Sequence, residues 1–480
     1  MKSKAETPSL AVNSIFNVFY QCVAVIAPLI ISMYVSRVLM PEGVGVVATA
    51  NNLVSYFVTL APLGIPAYGL REIAKVRNSR EKQDVLFSEL FVLNAASSLI
   101  FLGVYLVLYQ AVFSTSYDAR LYYVFSSLIL MNCLNVDWFY QGREDYVYIA
   151  LRSIVVKLTS LVLIFVFVRS SSDIVPYAVI LCFGSAGNYV LNALRLRKFV
   201  HFRIRDARPL RHLSAVVVLA GTVVLFSVYT KISITLLGVF ESSENVAYYS
   251  NAYSAANVVL MFCNAVTGVF FPRFSYEYEH DRTRFHTLVS EAVSVNLFVS
   301  LPLAVGVCVV SPAAIGFLFG DAFAPAAVVL RVFSLLIVFK CVGNVVYQVC
   351  ISTRKERGQL ISYTVGAAVC TIGNIVIIPI FGEVGAAVST VIAELLVDVC
   401  LIIYLGSCFC PKVSSRFILS TLISLVAMTV VAAACMLLCT NYVSQLALSF
   451  VFGGSSYLVV AFLTRNDLLL IILDKVKKRL

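Results

Sequence analysis

Apolar runs of about 20 residues, the length a helix needs to cross the hydrocarbon of a bilayer, recur along this chain from Ala11 to Leu463. They are too many and too long for one water-soluble core. Of the 480 residues, 60% are hydrophobic and 13% charged, against roughly 45–50% and 25% in a soluble globule. The runs are rich in Leu, Ala and Gly and lack the ten-residue alternation of barrel strands, so they predict helices, whose backbone bonds are all internal. The fold class expected is an all-α polytopic membrane protein. Soluble enzymes, secreted disulfide scaffolds and nucleic-acid binders are excluded. The first run exceeds a signal-peptide core and lacks a small-residue cleavage site, so it reads as a retained helix.

Cutting at the polar breaks gives fourteen spans, near residues 11–34, 43–67, 87–109, 121–139, 152–168, 174–194, 213–232, 246–269, 288–310, 326–350, 359–380, 384–405, 417–439 and 443–463. With the N-terminus inside, 30 of the 36 Lys and Arg residues fall in inward-facing segments and 5 in outward-facing ones, while Lys340 lies within a span. Positive charge collects on the cytoplasmic side, so both termini are expected there. The net charge of +11 is mainly a topology signal.

The chemistry of enzymes is missing. The thirteen cysteines lie mostly within spans, where Cys serves as a small apolar residue, and the Cys408/Cys410 pair does not suffice for a metal site. All four histidines fall in cytoplasmic loops. No zinc, phosphate-loop or nucleophile-elbow pattern occurs, so no catalytic residue, metal or cofactor is expected.

Shifting the chain by 202 positions aligns Glu42, Val44 and Ala50 with Glu244, Val246 and Ala252. The same shift aligns Arg71 and Arg80 with Arg273 and Arg282, and Ser88, Glu89 and Asn94 with Ser290, Glu291 and Asn296. Spans 1–6 and 7–12 therefore read as two like-oriented copies of one bundle, related by a pseudo-twofold along the membrane normal. The expected domains are an N-terminal lobe (1–200), a C-terminal lobe (201–405) and two extra spans with a basic cytoplasmic tail (406–480). Two such lobes facing a central cavity are suited to alternating access.

Polar groups in hydrocarbon are costly and mark cavities. Lys340 lies midway along span 10 and continues at four-residue spacing into Asn344 and Gln348. Span 12 repeats the pattern with Thr390, Glu394 and Asp398, span 1 with Asn13, Asn17 and Gln21, and span 2 with Asn51, Ser55 and Thr59. Four stripes suggest helices lining a shared polar cavity, although Asn and Ser also bond helices together. Lys340 and Glu394 are the leading functional candidates, or they pair with each other. Asp398, Asp137, Lys157, Glu89 and Glu291 lie near the cytoplasmic surface. Arg37 ends span 1 on the outer side and Arg71 and Arg273 hold equivalent cytoplasmic positions; guanidinium there can bind phosphate bidentately.

The stretch Ser36-Arg37-Val38-Leu39-Met40-Pro41-Glu42-Gly43-Val44-Gly45 resembles the S-R-x-L-G-P-E-G-x-G segment of bacterial oligosaccharide flippases, the Wzx-type branch of the polysaccharide export family. Leu63-Gly64-Ile65 with Tyr68-Gly69-Leu70-Arg71-Glu72-Ile73-Ala74 is similar to that family's L-G-I-x-x-Y-G-x-R-E-I-A. Asp137-Trp138-Phe139-Tyr140-Gln141-Gly142 is similar to its D-W-x-x-Q-G. Later matches are Leu237-Gly238, Val246-Ala247-Tyr248-Tyr249 and Gly385-Ala386-Ala387 with Glu394. Met40 departs from the usual Gly.

The resemblance implies the fourteen-helix fold of the multidrug, oligosaccharidyl-lipid and polysaccharide flippase superfamily. It also implies a bacterial inner-membrane location and, as cargo, undecaprenyl-pyrophosphate-linked oligosaccharide, with a polysaccharide polymerase and chain-length regulator as partners. The family's neighbours in function are flippases of the peptidoglycan precursor lipid II and cation-coupled multidrug exporters. Basic residues (Lys340, Arg37, Arg71, Arg273) would compensate the pyrophosphate, and Asn13, Asn17, Asn51 and Asn344 would meet sugar hydroxyls. With no ATPase motif, an ion gradient is the expected drive, with Glu394, Asp398 and Asp137 as candidate ion-coupling residues.

Overall fold

In the computed structural model the described residues, 10–113, 119–203 and 207–469, contain helices and no strand. The side chains of residues 10–25, 112–113 and 222 lie outside the described set, as do Lys2, Lys4 and the basic tail from 470 onward. In chain order the helices are α1 (Leu10–Leu60), α2 (Ile65–Val76), α3 (Arg80–Leu108), α4 (Ala119–Met131), α5 (Asp137–Gly142), α6 (Tyr146–Phe167), α7 (Ile174–Leu196) and α8 (Leu213–Phe240). They continue as α9 (Ser243–Gly268), α10 (Phe271–His280), α11 (Arg282–Phe319), α12 (Ala326–Ser352), α13 (Glu356–Leu405), α14 (Ser415–Leu438), α15 (Tyr442–Leu448) and α16 (Gly454–Leu463).

Eleven of the described helical stretches are long and apolar enough to cross a membrane. Two of them are double. α1 carries spans 1 and 2 and breaks at Met40 (φ 59°), and α13 carries spans 11 and 12 and breaks at Gly382 (φ 53°). Both breaks fall where the sequence places the outer turns. Span 14 is α15 and α16 joined through a π-helical turn, Ser449–Gly453.

The fourth span corrects the expectation of one continuous helix over 121–139. α4 stops at Met131, a 3₁₀ turn covers Asn132–Leu134, and helix resumes at Asp137. Side-chain amides replace the lost ladder. Asn94 Nδ2 donates to the Asn132 carbonyl (2.8 Å), Asn132 Nδ2 to Ser98 Oγ (3.2 Å) and Asn135 Nδ2 to Asn132 Oδ1 (3.1 Å). A break inside a membrane survives when neighbours satisfy the freed groups.

Three helix ends share one turn. Glu144, Arg354 and Arg465 are left-handed (φ 62°, 57° and 51°). The amide of the next residue bonds back five positions, from Asp145 to Tyr140, Lys355 to Cys350 and Asn466 to Ala461. This is the Schellman closure, here made without glycine.

The described residues divide into two compact units between Val228 and Tyr229, a boundary inside α8. In the N-terminal unit one core joins α1, α3, α4 and α7 around Phe57, Tyr105, Tyr122 and Phe125. A second gathers around Phe87, Trp138 and Phe139. There the segment after α7 docks on α3. Asp84 accepts from the His201 amide (3.1 Å), Ser88 from the Arg203 amide (2.9 Å) and Glu89 from the Arg208 amide (2.8 Å). In the C-terminal unit Ser290, at the aligned position on α11, accepts from the Lys412 amide (2.9 Å). Each serine thus holds the segment that follows the sixth span of its own unit.

Candidate functional site

Span 12, the second arm of α13, is built as a row of polar anchors inside the C-terminal unit. Thr390, Glu394 and Asp398, four residues apart, share one face and each meets a different partner. Thr390 Oγ1 bonds Ser233 of α8 and Tyr249 of α9, both at 2.9 Å. Glu394 Oε2 accepts from Lys340 Nζ of α12 at 2.7 Å and from the Tyr229 hydroxyl of α8. Asp398 lies against Gly343 of α12, where a Cβ would come within 2.2 Å of its Oδ1.

The site is therefore a buried-to-open gradient. Thr390, Ser233 and Asn374 form its closed end, where Asn374 Nδ2 donates to Ser233 Oγ (2.9 Å) and its own Oδ1 is buried without a partner. The ion pair is partly open, with 25% of the Lys340 side chain and 11% of the Glu394 side chain exposed. Tyr363 stacks on Tyr229 (6.0 Å between centroids) beside it. Beyond Lys340, Asn344 Nδ2 donates to Asn264 Oδ1 of α9 (3.0 Å). The two charges that the sequence marks as functional or mutually paired both lie well inside their helices and pair with each other. The pair joins α12 to α13 and the Tyr229 hydroxyl adds α8, and the pair loses its Coulombic part when Glu394 takes up a proton or another cation.

The remaining candidates are distributed as follows. Asn51 is exposed on the second arm of α1, with Ser55 and Thr59 half-buried below it. Asn13 and Asn17 lie on α1 with side chains outside the described residues. Arg37 is exposed near the C-terminal end of span 1 and donates to the Met33 carbonyl (2.8 Å). Arg71 and Arg273 are exposed on the short helices α2 and α10, and Arg71 pairs with Glu72 (3.0 Å). Asp137 accepts from Arg152 (2.8 Å) and Asn192 (2.5 Å), and only 3% of the Arg152 side chain is exposed. Glu89 is closed in by Arg211 (2.5 Å) and His212 (3.0 Å), and Tyr68 bonds the other His212 nitrogen (2.7 Å). No described group of three or more His, Cys, Asp or Glu side chains is placed to hold a metal ion.

Two motif segments prove to be one packing unit. α2 lies on α5, and a Cβ on Gly69 would lie 2.6 Å from the Trp138 ring, while one on Gly142 would lie 2.8 Å from Ile73. Close approach, rather than chirality, requires glycine there.

Sequence reasoning did not single out Tyr229, or the exposed Ser254, Asn257 and Asn264 of α9. The last three are spaced three and seven residues apart, a helical period interrupted by the apolar Met261. That period was the available signal.

The sequence model of the polysaccharide biosynthesis protein family matches residues 10–276, and that of the lipid II flippase MurJ family matches residues 187–456. The "Putative O-antigen transporter" of Escherichia coli K12 is 23% identical over 413 residues, covering 81% of this chain and 95% of that protein. A solved lipid II flippase MurJ in an inward closed conformation superposes with a TM-score of 0.72 at 16% identity, over 95% of this chain and 99% of that one. An inward-facing multidrug resistance MATE family transporter of the MOP superfamily gives 0.62 at 15% identity, over 79% and 92%. These two likenesses establish the fold.

Proposed function

Since the chain belongs to the polysaccharide biosynthesis protein family, a branch of the flippase superfamily, we propose that it carries undecaprenyl-pyrophosphate-linked oligosaccharide repeat units across a bacterial inner membrane. It is a multi-pass membrane transporter and not an enzyme, and it belongs among flippases of lipid-linked glycans or their precursors. The finer reading rests on the polar row of span 12 and the open face beside it. A pyrophosphate and its sugars need a hydrated, hydrogen-bonding path, while a polyprenyl tail can stay in lipid.

In this reading both termini are cytoplasmic and the two lobes alternate access to the two sides. Arg37, Arg71 and Arg273 compensate the pyrophosphate, Asn13, Asn17, Asn51 and Asn344 meet sugar hydroxyls, and Glu394, with Asp398 second, is the ion carrier. A proton or sodium ion arriving at Glu394 releases Lys340 toward the substrate, so that ion and cargo compete for one network. Asp137 we assign to anchoring Arg152 rather than to coupling. A polymerase and a chain-length regulator would receive the exported unit.

Deletion tests the cargo. Loss of surface polysaccharide with lipid-linked repeat units accumulating inside supports the reading; normal display without accumulation overturns it. The match of residues 187–456 to the lipid II flippase family favours one second reading, transport of the peptidoglycan precursor. Loss of viability on depletion, with surface glycan intact until then, would select it.

A further inference from the structure

The exposed face of α9 carries a feature that the ion pair does not explain. Ser254, Asn257, Met261 and Asn264 are exposed and succeed one another at three, four and three residues, so they share one face. The opposite face, with Ala252, Ala255, Ala256, Leu260 and Cys263, is buried. Phe262 and Val269, 69% and 66% exposed, stand together about 110° around the helix, which gives α9 an apolar outer face distinct from the polar one.

Asn257 makes no hydrogen bond among the described residues. An amide left bare in hydrocarbon costs about 2–7 kcal/mol, so this face meets water or a polar ligand. The row spans roughly 15 Å along the axis. At its cytoplasmic end Asn264 bonds Asn344 of α12, and one turn further along α12 lies Lys340, whose charge is taken up by Glu394. The wall from Ser254 to Asn344 thus presents hydroxyls and amides around Met261 and no uncompensated cation, and the charge beside its Asn344 end is the Asp398 carboxylate against Gly343. Such groups both donate and accept and so match sugar hydroxyls, whereas a pyrophosphate needs cations or several converging N–H donors.

We infer that the α9–α12 wall binds the glycan headgroup, with Asn257, Asn264 and Asn344 as determinants of glycan selectivity, and that it does not bind the pyrophosphate. This rests on the flippase reading and assigns one part of the substrate to one face of the C-terminal unit.

The experiment uses the full chain in lipid nanodiscs and two ligands: sugar-free undecaprenyl pyrophosphate, and the lipid-linked oligosaccharide extracted from cells deleted for the chain. Asn257→Ala combined with Asn264→Ala should weaken binding of the oligosaccharide lipid about tenfold, the loss of one or two hydrogen bonds, and leave the sugar-free lipid within about twofold. Asn257→Gln, which keeps the amide, should recover much of the loss. Unchanged binding of the oligosaccharide lipid, or equal weakening of both ligands, overturns the assignment to sugar. Deleted cells that accumulate no lipid-linked oligosaccharide would instead sink the flippase reading itself.

Discussion

Lys340 of α12 and Glu394 of α13 meet at 2.7 Å, and the Tyr229 hydroxyl of α8 donates to the same carboxylate oxygen. One oxygen therefore ties together three helices of the C-terminal unit, and the charge on Glu394 decides how strongly. Removing one partner of this largely enclosed pair leaves an uncompensated charge, whereas removing both need not destabilise.

Lys340→Met and Glu394→Gln alone should each lower the melting temperature of the purified protein and cut export on the order of tenfold, about 1.4 kcal/mol in coupling. The double substitution should restore melting but not export. Export restored together with stability would make the pair a structural strut.

Asp137 gives the opposite expectation. Arg152, 3% exposed at its side chain, depends on Asp137 for its ion pair, and an orphaned buried charge costs about 3–5 kcal/mol. Asp137→Ala should therefore reduce abundance in the membrane severalfold, with export falling only in proportion when measured per molecule. A fully abundant but inactive variant would return Asp137 to ion coupling.

Gly69 and Gly142 have no room for a methyl group. With a Cβ 2.6 Å from the Trp138 ring or 2.8 Å from Ile73, Gly69→Ala and Gly142→Ala should each cost about 1–3 kcal/mol as overpacking. Gly69→Ala with Trp138→Leu should regain part of it, read by thermal unfolding in detergent.

Met40 adopts φ 59° and ψ 173° at the break in α1, a region open essentially to glycine. Met40→Gly should raise stability by about 1 kcal/mol with export unchanged. A lower melting temperature would mean that the exposed Met40 side chain holds the turn through contacts worth more than the strain.

These residues also mark how far the sequence could be read. The breaks at Met40 and Gly382 were legible because polar and turn-forming residues interrupt the apolar runs there. Lys340 and Glu394 were legible because isolated charges stand out in hydrocarbon, and their pairing was one of two readings that spacing left open. The interruption at Asn132–Leu134 was not, because it depends on Asn94 and Ser98, 38 and 34 residues away. Nor was the contact of Gly69 with Trp138, which joins two motifs that look independent along the chain. Tyr229 was hidden for a simpler cause: a tyrosine in an apolar helix looks like core until its hydroxyl is seen to reach a carboxylate.

The polar row on α9 also limits how that helix can move. Turning it about its axis by the 100° that separates neighbouring residues would carry Asn257 and Asn264 toward hydrocarbon or into packed alanines, and would draw Phe262 toward water. Tilting or sliding keeps each residue in its own medium. In the alternating-access reading proposed above, passage between inward and outward states is then a rocking motion for α9 that keeps its rotational setting.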